Sequence, residues 1–278
     1  VGKSAGPVWQ RRLAGAALID HGQGAFLVLA GMRGGTMPHP HPSFHAMAQE
    51  STAQGAAKHK VRIWDLPTRL FHWLLAATVV GLVVTAKLGG NAMNWHLLLG
   101  HAMLALLLFR LLWGLVGGRW SRFASFIHAP ATVLRHVRGQ GTESDSAGHS
   151  PLGALSVFAM LAVLIAQVGS GLLSDDEIAF SGPLGRFVSG DTVAQATAYH
   201  AHWGQYLLYA LVALHLLAIL FYAWRGRGLV RAMVTGDKHL PEPLPSSRDT
   251  AASRLLALVL ALVAGAAAWW VQQLGGAF

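Results

Sequence analysis

The chain has 278 residues, 53% hydrophobic and only 12% charged, with a mean hydropathy of +0.44; that is too apolar for a water-soluble domain and marks an integral membrane protein. It has no cysteine, which excludes disulfides, iron–sulfur clusters, thiolate zinc sites and covalent c-type haem attachment in one step, so any metal is held by histidine or oxygen. The formal charge of +9 does not imply nucleic acid, because Lys and Arg alternate with hydrophobic spans instead of gathering on one basic module.

Residues 1–57 carry Gly, Ala and His with no sustained periodicity, and little fixed structure is expected there. The apolar run Ala25 to Ala30 is too short to cross a bilayer or to form a signal-peptide core. Met37 and Met47 stand late in this segment, which reads either as a native extension or as sequence upstream of a start site. Five stretches then approach the roughly 20 apolar residues that a helical span needs: 69–88, 94–117, 151–173, 200–224 and 252–274. Each is predicted to be helical, because backbone in lipid must satisfy its own hydrogen bonds.

The connections set an orientation, since cytoplasmic loops carry the excess of Lys and Arg. Lys58, Lys60, Arg62 and Arg69 precede the first span; Arg119, Arg122, Arg135 and Arg138 follow the second; Arg225, Arg227, Arg231, Lys238 and Arg248 follow the fourth. The turn from Gly89 to Met93, the loop with Asp175, Asp176, Glu177 and Asp191, and the C-terminus are therefore expected to face outward.

Ionisable residues inside a membrane are costly and point to function by default. His72 opens the first span and His215 lies deep in the fourth, which enters from outside, so both sit at cytoplasmic depth. His72 could equally be an interfacial residue beside Trp73. His96 opens the second span near the outer surface, as do His200 and His202 in the fourth. The 13 to 15 residues from this doublet to His215 amount to about 20 Å of helix, the drop that two stacked haems need. A spacing of 14 would bring both ligands within about 40° of one face, but position 201 is alanine, so His200 and His202 remain rivals. A local bulge at the helix start could turn either one inward. His101 is expected to face elsewhere, and His128, His136, His149 and His239 to be solvated. Arg110, 14 residues after His96, needs an anionic partner if buried, which a haem propionate would supply; otherwise it snorkels to headgroups. Gly81 and Gly100 admit either a macrocycle or a neighbouring helix. The third and fifth spans carry no histidine and read as walls.

Four segments carry a family resemblance: VRIWDLPTRLFHW (61–73), the second span with His96, Gly100 and Arg110 running into RLLWGLVG, HWGQYLLYALVALHLLAILFY (202–222) and LVRAMVTG (229–236). Through them the chain resembles the bacterial cytochrome b561 family, which includes the b-type cytochrome subunits of nickel–iron hydrogenases. The resemblance covers about residues 60–240. It implies a four-helix haem-binding transmembrane bundle with axial ligands from the first, second and fourth helices. His72 and His215 would then serve a cytoplasmic haem, and His96 with His200 or His202 an outer one. It also implies electron flow between a periplasmic cytochrome or dehydrogenase and the quinone pool.

The expected protein is thus an all-α integral membrane protein of the bacterial inner membrane: an N-terminal extension (1–57), a dihaem cytochrome b domain (58–250) and a fifth transmembrane helix (251–278). Its cofactors would be two non-covalent, bis-histidine haems b, with quinone and membrane lipid as partners and no nucleic acid. The alternatives are a histidine-based metal-ion transporter, which would call for the intramembrane acids these spans lack, and a membrane anchor for a dehydrogenase or hydrogenase, which would need no paired histidines.

Overall fold

The computed structural model describes residues 58–141 and 147–275, so the expectations for residues 1–57 lie outside the described residues. Within them, five helical segments are long and apolar enough to cross a membrane. The first, α1 (Leu66–Leu88), starts at Asp65, whose side chain accepts the Thr68 N–H at 2.9 Å; an N-cap of this kind satisfies a donor that the first helical turn leaves free. Gly89 and Gly90, at φ +63° and +52°, turn the chain back into α2 (Ala92–Val116), a reversal through left-handed backbone that glycine makes without strain. The two helices pack along their length. Gly81 serves that packing, since a Cβ there would stand 2.8 Å from Leu99 Cδ1; at Gly100 no side chain or neighbouring element among the described residues lies within 4 Å of the corresponding position.

A short helix α3 (Pro130–Val137) precedes α4 (Pro151–Leu173). The fourth crossing is compound: α5 (Gly190–Ala198) runs into a π-helical segment, Tyr199–Gly204, which continues as α6 (Gln205–Trp224). Next come α7 (Leu229–Thr235) and α8 (Ala251–Gln273), the latter opened by a reciprocal Thr250–Ser253 capping box. Two cores hold the spans. Phe71, Phe109, Trp113, Ala257 and Ala264 join α1, α2 and α8, while Met103, Leu107, Leu161, Leu164 and Leu208 join α2, α4 and α6. Outward faces stay apolar, as at Leu88, Leu217 and Leu262, the pattern of helices solvated by lipid.

One feature lay outside the helical periodicity. Strand β1 (His59–Arg62) pairs antiparallel with β2 (Asp237–Leu240), Arg62 opposite Asp237, and the Ser247 N–H and hydroxyl donate to the Arg62 and Ile63 carbonyls at 2.7 and 2.8 Å. This small ladder ties the entry to α1 to the segment between α7 and α8. The long-range pairing of two four-residue strands carries no local sequence signal.

Candidate functional site

His96 and His200 are brought together at one end of the bundle, their ring centroids 6.0 Å apart and their planes nearly perpendicular at 82°. Each ring is anchored through Nδ1. His96 Nδ1 lies 3.0 Å from the Leu82 carbonyl on α1, with the Thr85 hydroxyl at 3.3 Å; His200 Nδ1 lies 2.9 Å from the Gln167 carbonyl on α4. A carbonyl only accepts, so Nδ1 carries the proton in both rings, and each Nε2 is left with a lone pair. That is the tautomer a metal-binding histidine needs. Two imidazoles on opposite sides of one metal, each nitrogen about 2 Å from it, would place the centroids about 6 Å apart.

The π-helical segment explains how His200 reaches this position. Its wider i to i+5 turn accommodates one extra residue, so the 15-residue interval from His200 to His215 is phased as 14 residues of α-helix. His202, two residues on, is exposed. Gln167 completes the anchor, its amide donating to the His200 carbonyl at 2.9 Å. Gly171 lies under the ring, where a Cβ would stand 2.8 Å from His200 Cε1. Neither Gln167 nor Gly171 figured in the sequence reading. Gln167 did leave a signal, as the lone amide in the apolar run 151–173.

At the other end His72 and His215 are both half-buried. His72 Nδ1 is buried without a hydrogen-bond partner. His101 stays apart from both pairs, its Nδ1 donating to the Leu97 carbonyl at 2.7 Å within its own helix. Among the described residues the two rings that face each other closely are His96 and His200, and no group of three His, Asp or Glu gathers round one point. A pair suits an iron whose remaining positions a macrocycle fills.

Arg110 is buried near the His72 end, donating to the Ser121 carbonyl at 3.1 Å with its guanidinium 4.6 Å over the Phe123 ring. Arg110 forms no ion pair among the described residues; Asp65, which accepts from the hydroxyl of the same Ser121, is a fully buried carboxylate absent from the sequence reading. Its Oδ1 accepts from Thr68 N and Trp113 Nε1, and its Oδ2 from the Ser121 hydroxyl at 2.6 Å. A Cβ at Gly118 would collide with Oδ2. This knot fixes the start of α1, and hence His72 two turns on, against the end of α2.

His149 corrects the expectation of a solvated loop histidine. Its ring is enclosed by Trp64 and Phe126, centroids 4.7 and 4.3 Å away. Burial, aided by the charges of Arg110, Lys238 and His128, pushes its pKa down to about 3. An interior packing position draws no polar pattern along a loop, so the sequence left it unmarked.

The sequence model of prokaryotic cytochrome b561 matches residues 63–236, well over half of the chain. The chain belongs to the prokaryotic cytochrome b561 family. It is accordingly a b-type, haem-binding cytochrome of electron transfer, built as a multi-pass helical membrane bundle. No curated protein and no solved structure matches this cytochrome. The matched segment contains the four histidines of both pairs, Arg110 and the Asp65 knot, and ends before α8 begins. The residues fit a b-type haem: imidazoles with free Nε2 lone pairs, backbone anchors for Nδ1 at the His96–His200 end, and an unpartnered buried nitrogen at His72.

Proposed function

We propose that this cytochrome carries electrons across the bacterial inner membrane between a periplasmic redox partner and the quinone pool, using two non-covalent haems b, each held by two histidines. His96 and His200 would hold the outer haem, His72 and His215 the inner one. The observation that carries this reading is the facing pair His96 and His200, 6.0 Å apart with both Nδ1 atoms committed to carbonyls. The second pair lies 15 residues further along the same helical rod at His215, about 22 Å at 1.5 Å per residue.

Haem b, which these histidines would hold, would supply reversible one-electron chemistry at iron. The chain's own contribution is placement. Leu82 and Gln167 carbonyls hold the imidazole orientation and raise ligand basicity, and the apolar faces of α1, α2, α4 and α6 exclude water. Arg110 and Asp65 both bond Ser121, which fixes the inner end of α2 against the start of α1. The excess of Lys and Arg in the basic loops supports a cytoplasmic position for that end and a periplasmic one for the acidic loop after α4.

Spectra and a pyridine haemochrome assay on haem-replete protein test the proposal. Two haems per chain are expected, falling to one in His215→Ala. A wild-type maximum of one haem would refute the two-pair reading.

A further inference from the structure

The Lys- and Arg-rich face carries two adjoining cavities that neither histidine pair uses. The larger, about 570 Å³, opens beside the β1–β2 ladder and the start of α8. The smaller, about 190 Å³, is a cleft between the last turn of α2 and the first turns of α8, with Trp113, Val116, Ala252 and Leu256 in its wall. Arg248 and Thr250 line both, so the two cavities adjoin at these residues.

Their chemistry differs along that line. The larger holds Lys60, Arg62, Arg248 and Arg254 against Asp237 and Asp249, four cations to two anions, a net charge of +2. Both carboxylates are already shared: Asp237 between Lys60 at 3.2 Å and Arg62 at 2.5 Å, Asp249 between Arg62 at 2.7 Å and Arg254 at 2.9 Å. Arg248 has no ion pair among the described residues and stands exposed where the polar cavity meets the apolar cleft. A guanidinium offers a phosphate a bidentate fork. In the cleft beyond it Val116 and Leu256 stand exposed on two apolar spans, where a small soluble anion gains nothing and an acyl chain gains burial.

We propose that this double cavity binds one anionic phospholipid, its phosphate beside Arg248 and Lys60 and the first part of an acyl chain in the cleft of Trp113, Val116 and Leu256. The site would seat α8 against α2 through a lipid as well as through side chains.

The test is native mass spectrometry of the intact cytochrome, delipidated and then titrated with phosphatidylglycerol or phosphatidylcholine. The wild type is expected to retain one phosphatidylglycerol in preference to phosphatidylcholine. Arg248→Gln is expected to weaken that binding about fivefold, the factor for one basic side chain at an anionic headgroup, with haem absorption per chain unchanged. Arg248→Lys should restore part of it. Ala252→Trp, which fills the cleft and leaves every charge in place, should weaken it as well and decides the matter should Arg248→Gln fail to insert. Equal retention of the two lipids by the wild type, or equal phosphatidylglycerol binding by wild type and Arg248→Gln, overturns the proposal. Competition by glycerol phosphate at the concentration of the lipid would instead assign the site to a soluble phosphate and overturn it too.

Discussion

Gly171→Ala separates the role of α4 as a wall from its role as a support for His200. The added Cβ would stand 2.8 Å from His200 Cε1 and 3.0 Å from Nδ1, against an ordinary contact of 3.4 Å or more. The ring must therefore retreat by about 0.6 Å, which stretches its 2.9 Å bond to the Gln167 carbonyl to roughly 3.5 Å, beyond hydrogen-bond range. Loss of that bond costs about 1 kcal/mol. In the opposite direction, alanine in a helix is favoured over glycine by roughly 0.5–1 kcal/mol. The two effects nearly cancel in global stability but not at the site, because only the first touches the imidazole. Thermal unfolding should hence be almost unchanged, while the outer haem is lost about fivefold faster to an excess of apomyoglobin, followed by absorbance; Gly171→Val should lose it faster still. Haem loss from Gly171→Ala at the wild-type rate would refute the claim that His200 rests on this glycine as a ligand.

His200→Ala is expected to remove the outer haem and His202→Ala to leave both spectra intact, since His202 is exposed two residues beyond the facing pair; the reverse result in difference spectra would exchange the two. Burial holds His149 at a pKa of about 3, below the unfolded value near 6.5, so the unfolded chain binds the extra proton between those pH values and stability falls as pH drops through that window. Unfolding of the solubilised protein should lose up to about 2 kcal/mol between pH 7.5 and pH 5 from this group, and His149→Phe should flatten the profile by that amount. In the acidic loop, backbone N–H groups of Phe180, Ala179 and Ile178 hold the Asp176 carboxyl below its ordinary pKa, and Glu177 beside it is exposed. Asp175→Asn, Asp176→Asn and Glu177→Gln together should slow electron transfer with a basic soluble cytochrome at low salt with haem content unchanged; an unaltered rate and salt dependence in stopped-flow mixing would remove the loop from docking.

What the chain's order of residues determined alone was whatever depends on solvent and on neighbours within one helix. Membrane spans follow from uninterrupted apolar runs, because lipid imposes the same demand on every residue, and four of the five stretches recur as helices within three residues of their predicted ends, while the fourth begins ten residues earlier, at Gly190. The positions of His72, His96 and His215 along their helices follow from a rod of constant rise. The choice between His200 and His202 did not, since 100° per residue presumes unbroken α-helix, and the π-helical turn at Tyr199–Gly204 changes the phase by one residue. That turn is stabilised from outside its own helix, by the Gln167 amide on α4 bonding the His200 carbonyl. Asp65 and His149 were illegible for a related reason: what makes them matter is enclosure by residues tens of positions away, Trp113 and Ser121 for one, Trp64 and Phe126 for the other. A linear pattern records what each residue prefers, and only the packed bundle decides which preferences meet.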